Sequence, residues 1–180
     1  MKNNSTKNVV AIGIGAALFI LIGMINIPIF GNTSIQLQYA VQALFSVIFG
    51  PVVGFFMGFI GHALKDAIQY GGVAWAWVLA SGLVGLGIGA FRRFYDATKG
   101  SLSAKELVFF NFVQIVTLFV AHGLVCPMGD RIQYAQEWSY LFTQGVVAAT
   151  SNAITIGVAG TILLVVYART RTQSGSLTKN

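Results

Sequence analysis

From Val9 to Ile29 the chain carries no ionisable side chain. At 1.5 Å per residue a helix over that run is about 30 Å long, the thickness of a bilayer's hydrocarbon core. Further apolar stretches follow at about Leu37–Phe49, from Pro51 to about Leu64, then Val73–Phe91, Leu107–Val125 and Tyr140–Tyr167. Only 9% of the 180 residues are charged and 56% are hydrophobic, where a soluble domain is roughly one-quarter charged. A chain this small has too much surface to hide so many Phe, Leu, Ile and Val residues from water. The expected fold is an all-α integral membrane bundle of six transmembrane helices. It forms a single membrane domain over residues 1–180, with cytoplasmic tails at 1–8 and 169–180. The second and third helices are short for spans. Lys2 and Lys7 precede the first run, as in a signal peptide, but the run is longer than an h-region and no Ala-x-Ala site follows. It reads as a retained first helix.

Charge sets the orientation. With both termini on one side, that side collects Lys2, Lys7, Arg92, Arg93, Lys99, Lys105, Arg169, Arg171 and Lys179, and the other only Lys65 and Arg131. The positive-inside rule then makes both termini cytoplasmic. The net charge of +6 is a topology signal, and a nucleic-acid partner is a poor reading because no basic patch is interleaved with aromatics on a soluble surface. Cys126 is the sole cysteine, so an internal disulfide framework is excluded.

Several chemistries are missing from the sequence. No Gly-x4-Gly-Lys-Ser/Thr run is present to cradle nucleotide phosphates, and neither His-Glu-x-x-His nor Cys-x-x-Cys occurs. Gly13-x-Gly15 and Gly85-x-Gly87-x-Gly89 lie inside apolar helices rather than between a strand and a helix, so they are not dinucleotide loops. The spans lack the clustered His, Asp and Glu of an intramembrane enzyme. The reading is a non-catalytic protein with no metal site and no cofactor.

Small residues recur four apart: Ala11 and Gly15, Gly13 and Ala17, Gly54 and Gly58, Gly85 and Gly89, Ala153 and Gly157. In lipid such pairs let helix backbones approach closely. They suit internal packing of the bundle, and on the first helix (Ala11, Gly13, Gly15, Ala17) they also suit docking of another membrane subunit.

Polar residues gather at the outer end. They are Asn32, Gln36, Gln38 and Tyr39 near the second helix, His62, Lys65, Asp66, Gln69 and Tyr70 on the third, and Trp75 and Trp77 at the start of the fourth. His122 closes the fifth, and Asp130, Arg131, Tyr134 and Trp138 follow it. Aromatic faces with a few hydrogen-bonding groups are what a concave small-molecule site requires. The tryptophans equally fit an interfacial belt, and His62 and Asp66, at i and i+4, equally satisfy each other. Charges at bilayer depth are expensive, on the order of 3 kcal/mol at a helix centre, so their retention as a group favours a binding role.

Four stretches carry a family likeness: Ala11-Ile-Gly-Ile-Gly-Ala-Ala-Leu-Phe, Asn32-Thr-Ser-Ile-Gln-Leu-Gln-Tyr-Ala, Phe49-Gly-Pro-Val-Val-Gly-Phe and Gly58-Phe-Ile-Gly-His-Ala-Leu-Lys-Asp. With them the chain resembles the S components, the substrate-binding membrane subunits, of energy-coupling-factor (ECF) transporters. It looks most like the riboflavin-type branch, and within it the members linked to cobalamin uptake. The resemblance is specific in the first 70 residues and weak beyond Thr98. It implies six helices with cytoplasmic termini in a bacterial cell membrane, and partnership with a transmembrane coupling subunit and two cytoplasmic ATPases. It also implies an Ala-x-x-x-Ala docking pattern on the first helix, here Ala11 and Gly15, and a ligand pocket that takes in the loop between the first two helices, with Asn32–Tyr39 at the pocket or its lid.

The expected function is capture of a vitamin, cobalamin foremost, at the outer face. The expected pocket comprises Asn32, Gln36, Tyr39, His62, Lys65, Asp66, Tyr70, Trp75, Trp77, His122, Arg131 and Tyr134. Riboflavin or another vitamin is the alternative ligand, and a non-transporting membrane assembly protein the alternative role.

Overall fold

The computed structural model describes residues 3–25, 27–30 and 33–171. The basic residues Lys2 and Lys179 therefore lie outside the described residues, as does Asn32. Helix α1 (Asn3–Gly23) is followed by two short antiparallel strands, β1 (Ile27–Phe30) and β2 (Thr33–Ile35), paired Ile27 to Ile35 and Pro28 to Ser34. This corrects the expected first span, whose last residues leave the helix. Pro28 lacks an N–H and is tolerated in an edge strand but not in a helix interior. Phe30 packs on Tyr140, ring centroids 5.8 Å apart, and Thr33 and Ser34 are buried. The fold is thus nearly, not wholly, all-α.

Helix α2 (Gln38–Phe49) turns directly into α3 (Pro51–Tyr70). Gly50 adopts φ +99°, a conformation open to glycine, and Pro51 supplies a helix-ready φ at N1. Helix α3 runs a turn and a half past the expected end of its apolar run near Leu64, and it carries His62, Lys65 and Asp66 as expected. Helix α4 (Trp75–Ala90) crosses α3 at its glycines. A Cβ on Gly85 would strike the Gly54 backbone carbonyl, and one on Gly58 would sit 2.5 Å from the Ser81 carbonyl oxygen. Gln42 of α2 fits into this crossing, its amide nitrogen donating to the carbonyls of Gly54 (3.0 Å) and Ser81 (2.6 Å). One side chain thereby ties three helices together.

Two 3-10 turns, Arg92–Phe94 and Ala97–Lys99, lead away from α4 at a bend of 42°. Arg92 donates to the Ile48 carbonyl (3.1 Å) and Tyr95 to that of Ile88. Helix α5 (Ala104–Val120) opens with a capping box between Ser103 and Glu106 and continues through a π turn (Ala121–Val125) into α6 (Cys126–Tyr134). The polar stretch expected to be a loop after Val125 is therefore mostly helix. Pro127 cannot donate to the normal ladder, and the wider turn before it absorbs the mismatch. Helix α7 (Trp138–Thr155) likewise passes through a π turn (Ile156–Gly160) into α8 (Thr161–Thr170).

Among the described residues four helical stretches are long and apolar enough to cross a membrane: Ser5–Gly23, Pro51–Tyr70, Ala104–Tyr134 and Trp138–Thr170. Helix α4 with its bent continuation makes a fifth, and Gln38–Phe49 is a shorter apolar helix. At 12 residues it is only about 18 Å long. Chain direction alternates through these segments. The hairpin, residues 71–74 and residues 135–137 therefore meet at one end, with Gly50 and residues 91–103 at the other.

Candidate functional site

The three connections at the hairpin end surround a cavity of about 610 Å³ that opens outward. Its walls come from Ser34 and Gln36 of the hairpin region, His62, Lys65, Asp66 and Tyr70 of α3, and Trp77 of α4. Asp130 and Tyr134 of α6 and Tyr140 and Gln144 of α7 complete it, with Pro28, Thr33, residues 72–74 and Gln136 at the rim.

The α3 wall is polar because four ionisable or aromatic groups share one face of one helix. His62, Lys65 and Asp66 are each only 3% exposed. Asp66 lies 3.3 Å from the His62 ring nitrogen and 3.6 Å from the Lys65 ammonium, and its second oxygen accepts from the Ala74 amide at 3.3 Å. That last bond fastens the α3–α4 turn to the wall. Lys65 also stands 5.8 Å from the centre of the Tyr70 ring. Opposite, the Trp77 indole N–H donates to Asp130 at 2.6 Å, joining α4 to α6.

Beneath the floor, a chain of hydrogen bonds runs inward from Asp66. His62 contacts the Ser81 hydroxyl at 2.5 Å, Ser81 meets the Tyr39 hydroxyl at 2.6 Å, and Tyr39 lies 3.2 Å from the His122 ring. Phe19 packs edge-on against Tyr39 at 5.6 Å and beside His62 at 6.0 Å. The relay holds the His62 ring in one orientation. We expect Ser81→Ala, which severs both bonds and leaves the buried His62 Nδ1 unpartnered and Tyr39 with His122 alone, to weaken ligand binding about tenfold at a cost of about 1–3 kcal/mol. Calorimetric titration against wild type measures it.

Of the residues expected in the pocket, Gln36, His62, Lys65, Asp66, Tyr70, Trp77 and Tyr134 line the cavity together. Tyr39 and His122 stand behind its floor, in the relay. Trp75 turns away, 55% exposed, with its ring 6.3 Å from Phe59. Arg131 also turns away, donating to the carbonyls of Ala135 (3.0 Å) and Gln136 (2.7 Å) and stacking 5.6 Å over Trp138. Asn32 is outside the described residues. Tyr140, Gln144 and Gln136 were missed by sequence reasoning. Gln144 is an amide in the middle of an apolar segment, a signal in its own right.

The expected docking residues divide between two faces of α1. Ala11 and Gly15 are buried within the chain, and a Cβ on Gly15 would lie 2.7 Å from the Met57 sulfur. Gly13 and Ala17 are exposed, with nothing within 4 Å of a Cβ built on Gly13.

Residues 3–169 match the family model described as ECF-type riboflavin transporter, S component. The chain belongs to that family. Curated relatives agree along the full length. A UPF0397 protein of Streptococcus thermophilus is 66% identical, with all of both chains covered. One of Lactococcus lactis subsp. cremoris is 57% identical over 99% of this chain and all of its own. A third, of Streptococcus gordonii, is 54% identical over 97% of this chain and 94% of its own. As an S component this is a multi-pass membrane protein and a substrate-specific subunit of a vitamin-type transporter, a class that works with energy-coupling subunits and is not catalytic.

Proposed function

We propose that this S component captures cobalamin at the extracellular face and delivers it inward with a transmembrane coupling subunit and two cytoplasmic ATPases. In this reading six segments cross the bacterial cell membrane, α2 included, and both termini are cytoplasmic. The observation that carries it is the cavity at the end of the bundle opposite Arg92, Lys99 and Arg169, where donors and acceptors are dispersed around the mouth beyond the Lys65–Asp66 pair. A corrinoid is edged with amides, each both donor and acceptor. Ser34, Gln36, Tyr134, Gln136, Tyr140 and Gln144 match that chemistry at several separate points around the mouth. The resemblance of the chain to members linked to cobalamin uptake points the same way.

A corrinoid is too large to be enclosed in about 610 Å³. It would seat one edge against α3 and α6 and leave the rest at the mouth, with the hairpin yielding. Riboflavin is the second reading. The cavity lies within the roughly 300–1,000 Å³ of small-ligand sites, and Trp77, Tyr134 and Tyr140 offer it flat aromatic partners. Titration of detergent-purified protein with cyanocobalamin and riboflavin, without ATP, decides between them. Saturable binding of cyanocobalamin alone is the expected result. Binding of riboflavin alone transfers the role to that vitamin, and binding of neither by a folded sample points to another vitamin.

The docking face in this reading is the exposed pair Gly13 and Ala17, with Ala11 and Gly15 packing inside the chain. Gly13→Leu and Ala17→Leu should each lower uptake by about tenfold or more, since overpacking a close helix contact costs about 1–3 kcal/mol. Ligand binding by the isolated subunit should be unchanged. Uptake in reconstituted vesicles and calorimetry on the purified subunit separate the two effects. Unimpaired uptake by both variants would place the docking face elsewhere.

A further inference from the structure

We infer that Asp130 fixes the charge class of the ligand. The cavity takes an uncharged or cationic compound that presents an N–H or O–H to this carboxylate, and it rejects relatives bearing a free carboxylate or phosphate monoester. The inference rests on the cavity being the ligand site and adds to that reading a property of the substrate.

Among the described residues the ionisable side chains lining the cavity include His62, Lys65, Asp66 and Asp130. Lys65 is not free for an anion, because its ammonium is paired with Asp66 at 3.6 Å. Arg131, the nearest other cation by sequence, donates to two backbone carbonyls and stacks on Trp138. Lys65 and His62 both answer Asp66, whereas Asp130 is the wall carboxylate with no cation within ion-pair distance among the described residues. Its side chain is held on one side only. The Trp77 indole donates to Oδ2 at 2.6 Å, while Oδ1 is buried and meets no donor among the described residues. The residue is 4% exposed. A buried carboxylate oxygen without a donor is costly, and a ligand donor removes that cost. An anionic group in the same place meets the carboxylate in a poorly screened recess, with no unpaired cation lining the cavity among the described residues.

The test uses two matched pairs of probes on the full-length purified protein: cyanocobalamin with its monocarboxylate, in which one peripheral amide is hydrolysed, and riboflavin with flavin mononucleotide. Whichever pair wild type binds, the uncharged member should be favoured by about tenfold or more, the effect of one like-charge contact. Asp130→Asn keeps an acceptor for Trp77 and removes the charge, so it should bring the two members of the pair to within a few-fold of each other. Trp77→Phe removes the hydrogen bond and keeps the charge, so it should preserve the preference even if both affinities fall. A preference unchanged in Asp130→Asn, or lost equally in Trp77→Phe, overturns the inference and leaves the vitamin reading standing. Failure of wild type to bind either pair removes the inference together with the cobalamin and riboflavin readings.

Discussion

Asp66→Ala should abolish ligand binding and lower the unfolding temperature of the detergent-solubilised protein by on the order of 10 °C. Asp66 is the single acceptor shared by His62 and Lys65, and both partners are buried. Removing it strands an ammonium inside the protein, and breaking a buried pair from one side costs about 3–5 kcal/mol. The Ala74 amide also loses its acceptor, so the α3–α4 turn at the cavity rim loosens. A compensated variant separates stability from function. Lys65→Met combined with Asp66→Leu replaces the pair by apolar groups of similar size, an exchange that is often neutral or stabilising. It should recover most of the unfolding temperature and none of the binding. An Asp66→Ala protein as stable as wild type would show that the pair is hydrated, not buried.

Gly85→Val should prevent accumulation of folded protein. Its first added carbon strikes the backbone carbonyl of Gly54, and the Gln42 amide lies 2.7 Å from the same point. Backbone cannot rotate aside as a side chain can, so the α3–α4 crossing must open. That separation also pulls Gln42 from the carbonyls of Gly54 and Ser81, which adds unpaired polar groups to the overpacking cost of about 1–3 kcal/mol. Gly123→Ala is the matched control. Its Cβ meets nothing closer than Phe119 at 3.8 Å, so it should express and elute as wild type. Gel filtration of the three proteins in detergent reads the difference, and a monodisperse Gly85→Val would mean that the crossing is not close-packed.

The sequence made the α3 wall legible because charges in an apolar segment have few explanations. His62, Lys65 and Asp66 stood out for that reason, and the structure brings them to one cavity. The glycine spacing also foretold a close crossing, although not that Gln42 would insert into it. Rotation was harder to read. Trp75 and Trp77 are separated by about 200° around a helix, so only one could face the cavity, and the pattern of a uniformly apolar α4 does not say which. The same problem hid Tyr140 and Gln144 on α7 and split Ala11 and Gly15 from Gly13 and Ala17 on α1. The hairpin was invisible for a different reason. Asn26 and Pro28 are small interruptions in a run that stays apolar to Phe30, and periodicity cannot divide a short strand from the helix before it.

The cavity has one fixed jaw and one exchangeable jaw. Its α3–α4 side is clamped by the glycine crossing and by Gln42, where even a methyl group has no room. Its other side, from Asp130 through Tyr134 and Tyr140 to Gln144, sits around the turn at residues 135–137 and the edge of a two-stranded hairpin. Ligand preference can therefore drift, or be redesigned, by replacing a few residues between 130 and 144 while the scaffold that makes the protein foldable stays untouched.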